Sequence, residues 1–99
     1  MLSDFKSELS ALLADRIQAL FGVEYDPIVE VPPRRELGDL AFPAALHLAR
    51  TLKRNPRGIA EELAEDFPSP DFVREIRVEG AGYLNFFLDR SLVTRQLLS

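Results

Sequence analysis

Gly80-Ala81-Gly82-Tyr83-Leu84-Asn85-Phe86-Phe87-Leu88 is a glycine-flanked turn that runs straight into an aromatic-rich strand. Side chains on a strand alternate between faces, so Leu84, Phe86 and Leu88 share one side while Tyr83, Asn85 and Phe87 share the other. The stretch before it, Val73 to Glu79, sets Ile76 and Val78 against Glu75, Arg77 and Glu79, the pattern of a half-buried strand. Gly80 and Gly82 permit the positive φ that a tight connection needs, so the two segments are expected to form an antiparallel hairpin. Leu84, Phe86 and Leu88 are its core side. The opposite side carries two rings with an amide between them, a surface suited to stacking on an unpaired base and bonding its edge. The other reading of that side is ordinary core, since Tyr and Phe are good strand formers and a last helix could cover them. Asn85 weighs against it, because a buried amide needs partners for its donors and its acceptor.

Working outward, Phe5, Leu9, Leu12, Leu13, Ile17, Leu20 and Phe21 recur at three- and four-residue spacing, which predicts a helix with Ser3 as N-cap and Gly22 as stop. Tyr25 to Val31 reads as a strand ended by Pro32 and Pro33. The loop from Pro32 to Glu36 is polar and basic. Gly38 to Phe42 is a turn followed by a short extended piece, with Pro43 as the first residue of a helix whose stripe is Ala45, Leu48, Ala49 and Leu52. Asn55 and Pro56 break that helix and open another, in which Ile59, Ala60, Leu63 and Phe67 face inward and Glu61, Glu62, Glu65 and Asp66 face water. After the hairpin, Ser91 can cap a last helix carrying Leu92, Val93, Leu97 and Leu98. The expected architecture is α+β in two layers, with helices on one face of a small, mainly antiparallel sheet.

Ninety-nine residues, 46% hydrophobic and 28% charged, make one soluble globular domain. No apolar run is long enough to span a bilayer and no secretory leader opens the chain, so the expected location is the cytosol and no membrane partner is expected. Without cysteine, thiolate chemistry and disulfides are absent, and His47 alone cannot build a metal site or a nucleophile–histidine–acid set. His47 reads as structural, and Glu61, Glu62 and Glu65 as a solvated face. A net charge of −4 argues against gripping nucleic acid by bulk electrostatics. Local contacts remain open: Arg34 and Arg35 in the loop, and Arg50, Lys53, Arg54 and Arg57 near a helix end, could meet phosphates or simply be solvated.

Three pieces in order, Gly38-Asp39-Leu40-Ala41-Phe42-Pro43, then Leu52-Lys53-Arg54-Asn55-Pro56-Arg57 with Ile59-Ala60-Glu61-Glu62-Leu63, then Gly82-Tyr83-Leu84-Asn85-Phe86, closely resemble the N-terminal additional domain of arginyl-tRNA synthetases. The resemblance covers nearly the whole chain, residues 1–99. It implies an α-β-β-α-β-β domain at the front of an ATP-dependent ligase, holding the tRNA corner at the D-loop. By motif position Tyr83 would stack on an unpaired D-loop base and Asn85 would read its edge. The matched motif ends before Phe87, which stays a candidate support on the same face, and Arg34, Arg35, Lys53 and Arg54 are the candidate phosphate contacts read from the sequence. The implied partners are an arginine-accepting tRNA and the synthetase's catalytic domain. The family's His-x-Gly-His motif is missing here, so no catalytic residue carries over and no cofactor is expected in this chain. The ATP belongs to the catalytic domain. A rival class is a protein-interaction or interdomain docking module without RNA contact, whose binding would be insensitive to salt.

Overall fold

The computed structural model describes residues 2–89 and 91, without the side chains of residues 2–4 and 35. Helix α1 spans Leu2–Phe21, α2 Ala44–Leu52 and α3 Pro56–Asp66, and the strands are β1 Leu40–Phe42, β2 Val73–Glu79 and β3 Tyr83–Leu88. A single 3-10 turn covers Arg35–Leu37. The sheet is antiparallel in the order β1-β3-β2, so the aromatic strand is central. The domain is α+β, with three helices and a small three-stranded sheet among the described residues.

The core side of β3 is as the alternation requires. Leu84, Phe86 and Leu88 are buried together with Phe5, Leu9, Leu13 and Ile17 of α1, Ala45 and Leu48 of α2, and Ile59, Ala60 and Leu63 of α3. Phe86 is the hub. It meets Phe42 edge-on at 5.4 Å between centroids and Phe67 at 5.1 Å, geometries that suit the ring quadrupole. Gly22 stops α1 with φ +67° and an N–H donated to the Gln18 carbonyl at 2.9 Å. Asn55 caps α3, its Oδ1 accepting from the Arg57 N–H at 2.8 Å.

Several expectations shift. The α1 helix already includes Leu2, so Ser3 lies inside it, and Pro43 stands at the N-cap of α2 rather than at its first helical position. Tyr25–Val31 is not a strand. Only Glu30 joins the sheet, exchanging two hydrogen bonds of 2.8 Å with Ala41. Pro27 has no N–H to donate, the segment ends at Pro32 and Pro33, and three-residue β1 offers room for little more than one such pair. The segment is instead pinned by its side chains: the Tyr25 hydroxyl is hydrogen-bonded to His47 Nδ1 on α2, which gives His47 a structural contact. The helix expected after Ser91 lies outside the described residues.

The hexapeptide Gly38–Pro43 explains itself in the ladder. Gly38, at φ +106°, passes so close to β3 that a Cβ there would lie 3.1 Å from the Phe86 carbonyl oxygen. The Asp39 N–H donates to that same oxygen at 2.9 Å, and Asp39 Oδ2 accepts from the Leu88 N–H at 2.9 Å. A side chain thus extends the β1–β3 pairing past the end of the strand.

Candidate nucleic-acid interface

Tyr83, Asn85 and Phe87 do share the face of β3 away from the helices, beside Ala41 on β1 and Glu79, Arg77 and Glu75 on β2. That face is not an open platform. Asn85 is 5% exposed and Phe87 6%, while Tyr83 is half-buried. The cover over Asn85 is the turn at Arg35–Leu37, whose Leu37 carbonyl accepts from Asn85 Nδ2 at 2.6 Å. A carbonyl can only accept, so this contact fixes which way the amide points. Its Oδ1 is then left buried without a hydrogen-bond partner among the described residues. Such an acceptor costs about 1–3 kcal/mol.

The turn divides the face into two hollows. One, of about 370 Å³, is walled by Tyr83, Asn85, Leu37, Pro32, Pro33 and Glu79. Its volume falls in the range of small-ligand sites, about 300–1,000 Å³. The other, of about 650 Å³, lies around Phe87 with Arg74, Arg77, Glu36, Asp39 and Asp89. There the ring is covered by cations, Arg77 at 4.8 Å from its centroid and Arg74 at 5.8 Å. Phe87 therefore offers no free face for a base.

The hairpin turn is held in place from below. Gly82, at φ +149°, packs so tightly that a Cβ would meet the Pro56 backbone at 3.1 Å. Arg57 Nη1 donates to the Gly80 carbonyl at 2.7 Å. This fastens the start of β3, and Tyr83 with it, to the corner between α2 and α3.

The profile of the family described as "Arginyl tRNA synthetase N terminal domain" matches residues 7–88. The chain belongs to that family. Two relatives named arginine–tRNA ligase show the extent of the likeness. The one from Thermotoga maritima is 40% identical over 81 residues, covering 82% of this chain and 15% of the relative. The one from Alkaliphilus metalliredigens is 38% identical over 97 residues, covering 98% and 17%. Among solved structures, Thermus thermophilus arginyl-tRNA synthetase superposes with a TM-score of 0.83 at 33% identity, covering 94% of this chain and 15% of that one. The Plasmodium falciparum enzyme, at 16% identity and a TM-score of 0.80, shares the fold. The chain thus spans 15% and 17% of the length of those two curated relatives.

Within this arginyl-tRNA synthetase N-terminal domain the basic candidates are scattered. Arg34 is exposed on the turn, 4.0 Å from Glu36. Arg35 stands on the same turn, its side chain outside the described ones. Lys53 is exposed at the left-handed C-cap of α2. Arg54 is occupied internally: it pairs with Glu62 and lies 5.4 Å over the Phe21 ring, tying α1, α2 and α3 together. Arg57 is spent on the hairpin. Arg74 and Arg77 were not singled out by the sequence pattern, yet they flank the face more closely than the others. The signal was Val73 beside Ile76, an apolar spacing of three that breaks a two-residue period. No group of acidic or histidine side chains that could hold a metal occurs among the described residues, and none of their helices is long and apolar enough to cross a membrane.

Proposed function

We propose that this domain reads an unpaired base of tRNA, in the D-loop of an arginine-accepting tRNA, as the front part of an ATP-dependent arginine–tRNA ligase. The observation that carries the reading is the partnerless Oδ1 of Asn85 on the wall of the hollow it shares with Tyr83. A fold does not retain a buried, unpaired acceptor for its own stability, and a base N–H arriving there supplies the missing donor. Asn85 lines the hollow and its Oδ1 is buried, so on this reading the half-buried Tyr83 ring turns to stack on the incoming base and opens the way to the amide. Leu37 and the two prolines put apolar wall around the pair, so that a bound base edge left unmatched is costly, which gives selectivity. Arg34, next to Pro33 of the hollow's wall, and Lys53, exposed at the C-cap of α2, supply phosphate contacts. The rest of the ligase, its catalytic domain included, adds to the weak but measurable affinity that this acidic domain has by itself.

The test is binding of an arginine-accepting tRNA to Tyr83→Ala and Tyr83→Phe chains. Loss of a stacked ring costs about 1–3 kcal/mol, about 5- to 150-fold in affinity, whereas Tyr83→Phe keeps the ring and most of the affinity. Unchanged binding by Tyr83→Ala overturns the reading, and salt-insensitive attachment to protein instead would favour the docking module.

A further inference from the structure

The hollow around Phe87 is used by neither the fold's core nor the reading at Tyr83. Strand β2 pairs Val73 with Leu88 and Glu75 with Phe87, so Arg74 is an extra residue at a β-bulge. The bulge shifts the phase of the strand: Val73 is buried on the helix side together with Ile76 and Val78, and Arg74 is moved out of what would be a core position onto the opposite face. There it lies over the Phe87 ring at 5.8 Å.

Each charged neighbour in this hollow already has an intrachain contact. Arg77 is held by Glu75 at 2.7 Å, Asp39 Oδ2 accepts from the Leu88 N–H, Asp89 Oδ1 accepts from the Ser91 N–H, and Glu36 faces Arg34. Arg74 has no ion pair or hydrogen bond among the described residues, only the nearby ring and the longer-range attraction of Glu75. A guanidinium held near an aromatic ring with no hydrogen bond of its own keeps its N–H donors free for a ligand. Those donors suit a phosphate.

We propose that Arg74 is a further RNA-binding residue, which takes a backbone phosphate of the strand whose unpaired base sits at Tyr83. Phe87 and the Glu75–Arg77 pair act as its positioning support. Phe87 follows Asn85 by two residues, about 6.8 Å along the strand, so one RNA chain can lie over both hollows. The proposal rests on the reading of the Tyr83 hollow.

The experiment measures the affinity of this chain for a D-arm stem-loop RNA from an arginine-accepting tRNA over a range of salt, for wild type, Arg74→Gln, Arg74→Lys and Tyr83→Ala. Arg74→Gln is expected to bind about three- to tenfold more weakly at low salt and to lower the slope of log K against log salt by about 0.7–1. Arg74→Lys keeps the wild-type slope, and Tyr83→Ala weakens binding with the slope unchanged. Melting temperatures of the Arg74 variants should match wild type, since the side chain is exposed. A wild-type slope for Arg74→Gln, whatever its affinity, overturns the inference alone. If Tyr83→Ala also binds like wild type, or no RNA binds, the Tyr83 reading falls and takes this one with it.

Discussion

Replacing Asn85 with valine pulls apart what this residue does for the fold and what it does for a ligand. On the stability side the gains match or exceed the loss. Losing the 2.6 Å bond from Nδ2 leaves the Leu37 carbonyl unpaired, a cost of about 1 kcal/mol on a turn that water can reach. Removing the buried Oδ1, which has no partner among the described residues, returns about 1–3 kcal/mol, and a β-branched residue gains a few tenths to about 1 kcal/mol in a central strand. The variant is therefore expected to be at least as stable as wild type and up to about 3 kcal/mol more stable, read as an unchanged or raised midpoint in thermal melting followed by circular dichroism. On the binding side nothing compensates. The base edge loses its acceptor, which costs about 1–3 kcal/mol, about 5- to 150-fold in tRNA affinity. Wild-type affinity in a well-folded Asn85→Val chain would refute the role given to the amide. A loss of 3 kcal/mol or more in stability would refute the balance of terms and make Asn85 a structural residue first.

Gly38→Ala should destabilise the domain by about 2 kcal/mol, because a side chain at φ +106° is strained and its Cβ would press on the Phe86 carbonyl at 3.1 Å. Urea unfolding checks it, and a loss below about 0.5 kcal/mol would show that β1 can shift away from β3. The hydrogen bond from Arg77 holds the Glu75 carboxyl below its usual value of 4.5. Because the folded value is the lower one, Glu75 contributes stability above its unfolded value and loses it as pH falls through the folded one. Melts of wild type and Glu75→Gln should therefore converge on acidification from pH 6 to pH 3, and a constant gap between them would contradict the pairing.

The parts of this fold that sequence made legible are those with local causes. The α1 stripe, the Asn55 cap with Pro56 behind it and the two glycines of the hairpin each act within a few residues, and each is where the pattern puts it. Tyr25–Val31 failed because a strand exists only if a partner has N–H and C=O groups to offer, and β1 is too short. The alternation on β3 sorted its side chains onto the correct faces. It could not show that a turn fifty residues earlier would lie on Asn85, or that two arginines would lie on Phe87, since burial of a face depends on what crosses it. Arg57 was equally illegible, because its partners are carbonyls of a distant hairpin.

The bulge at Arg74 has a second consequence, in how copies of the chain avoid one another. Strand β2 is an edge of the sheet among the described residues, seven residues long against three for the opposite edge β1. A straight edge of that length is a template for another strand. The extra residue bends and twists it, and Arg74, Glu75, Arg77 and Glu79 set alternating charge along it. Straightening β2 by deleting one residue at the bulge should raise the tendency of the chain to associate through its sheet edge.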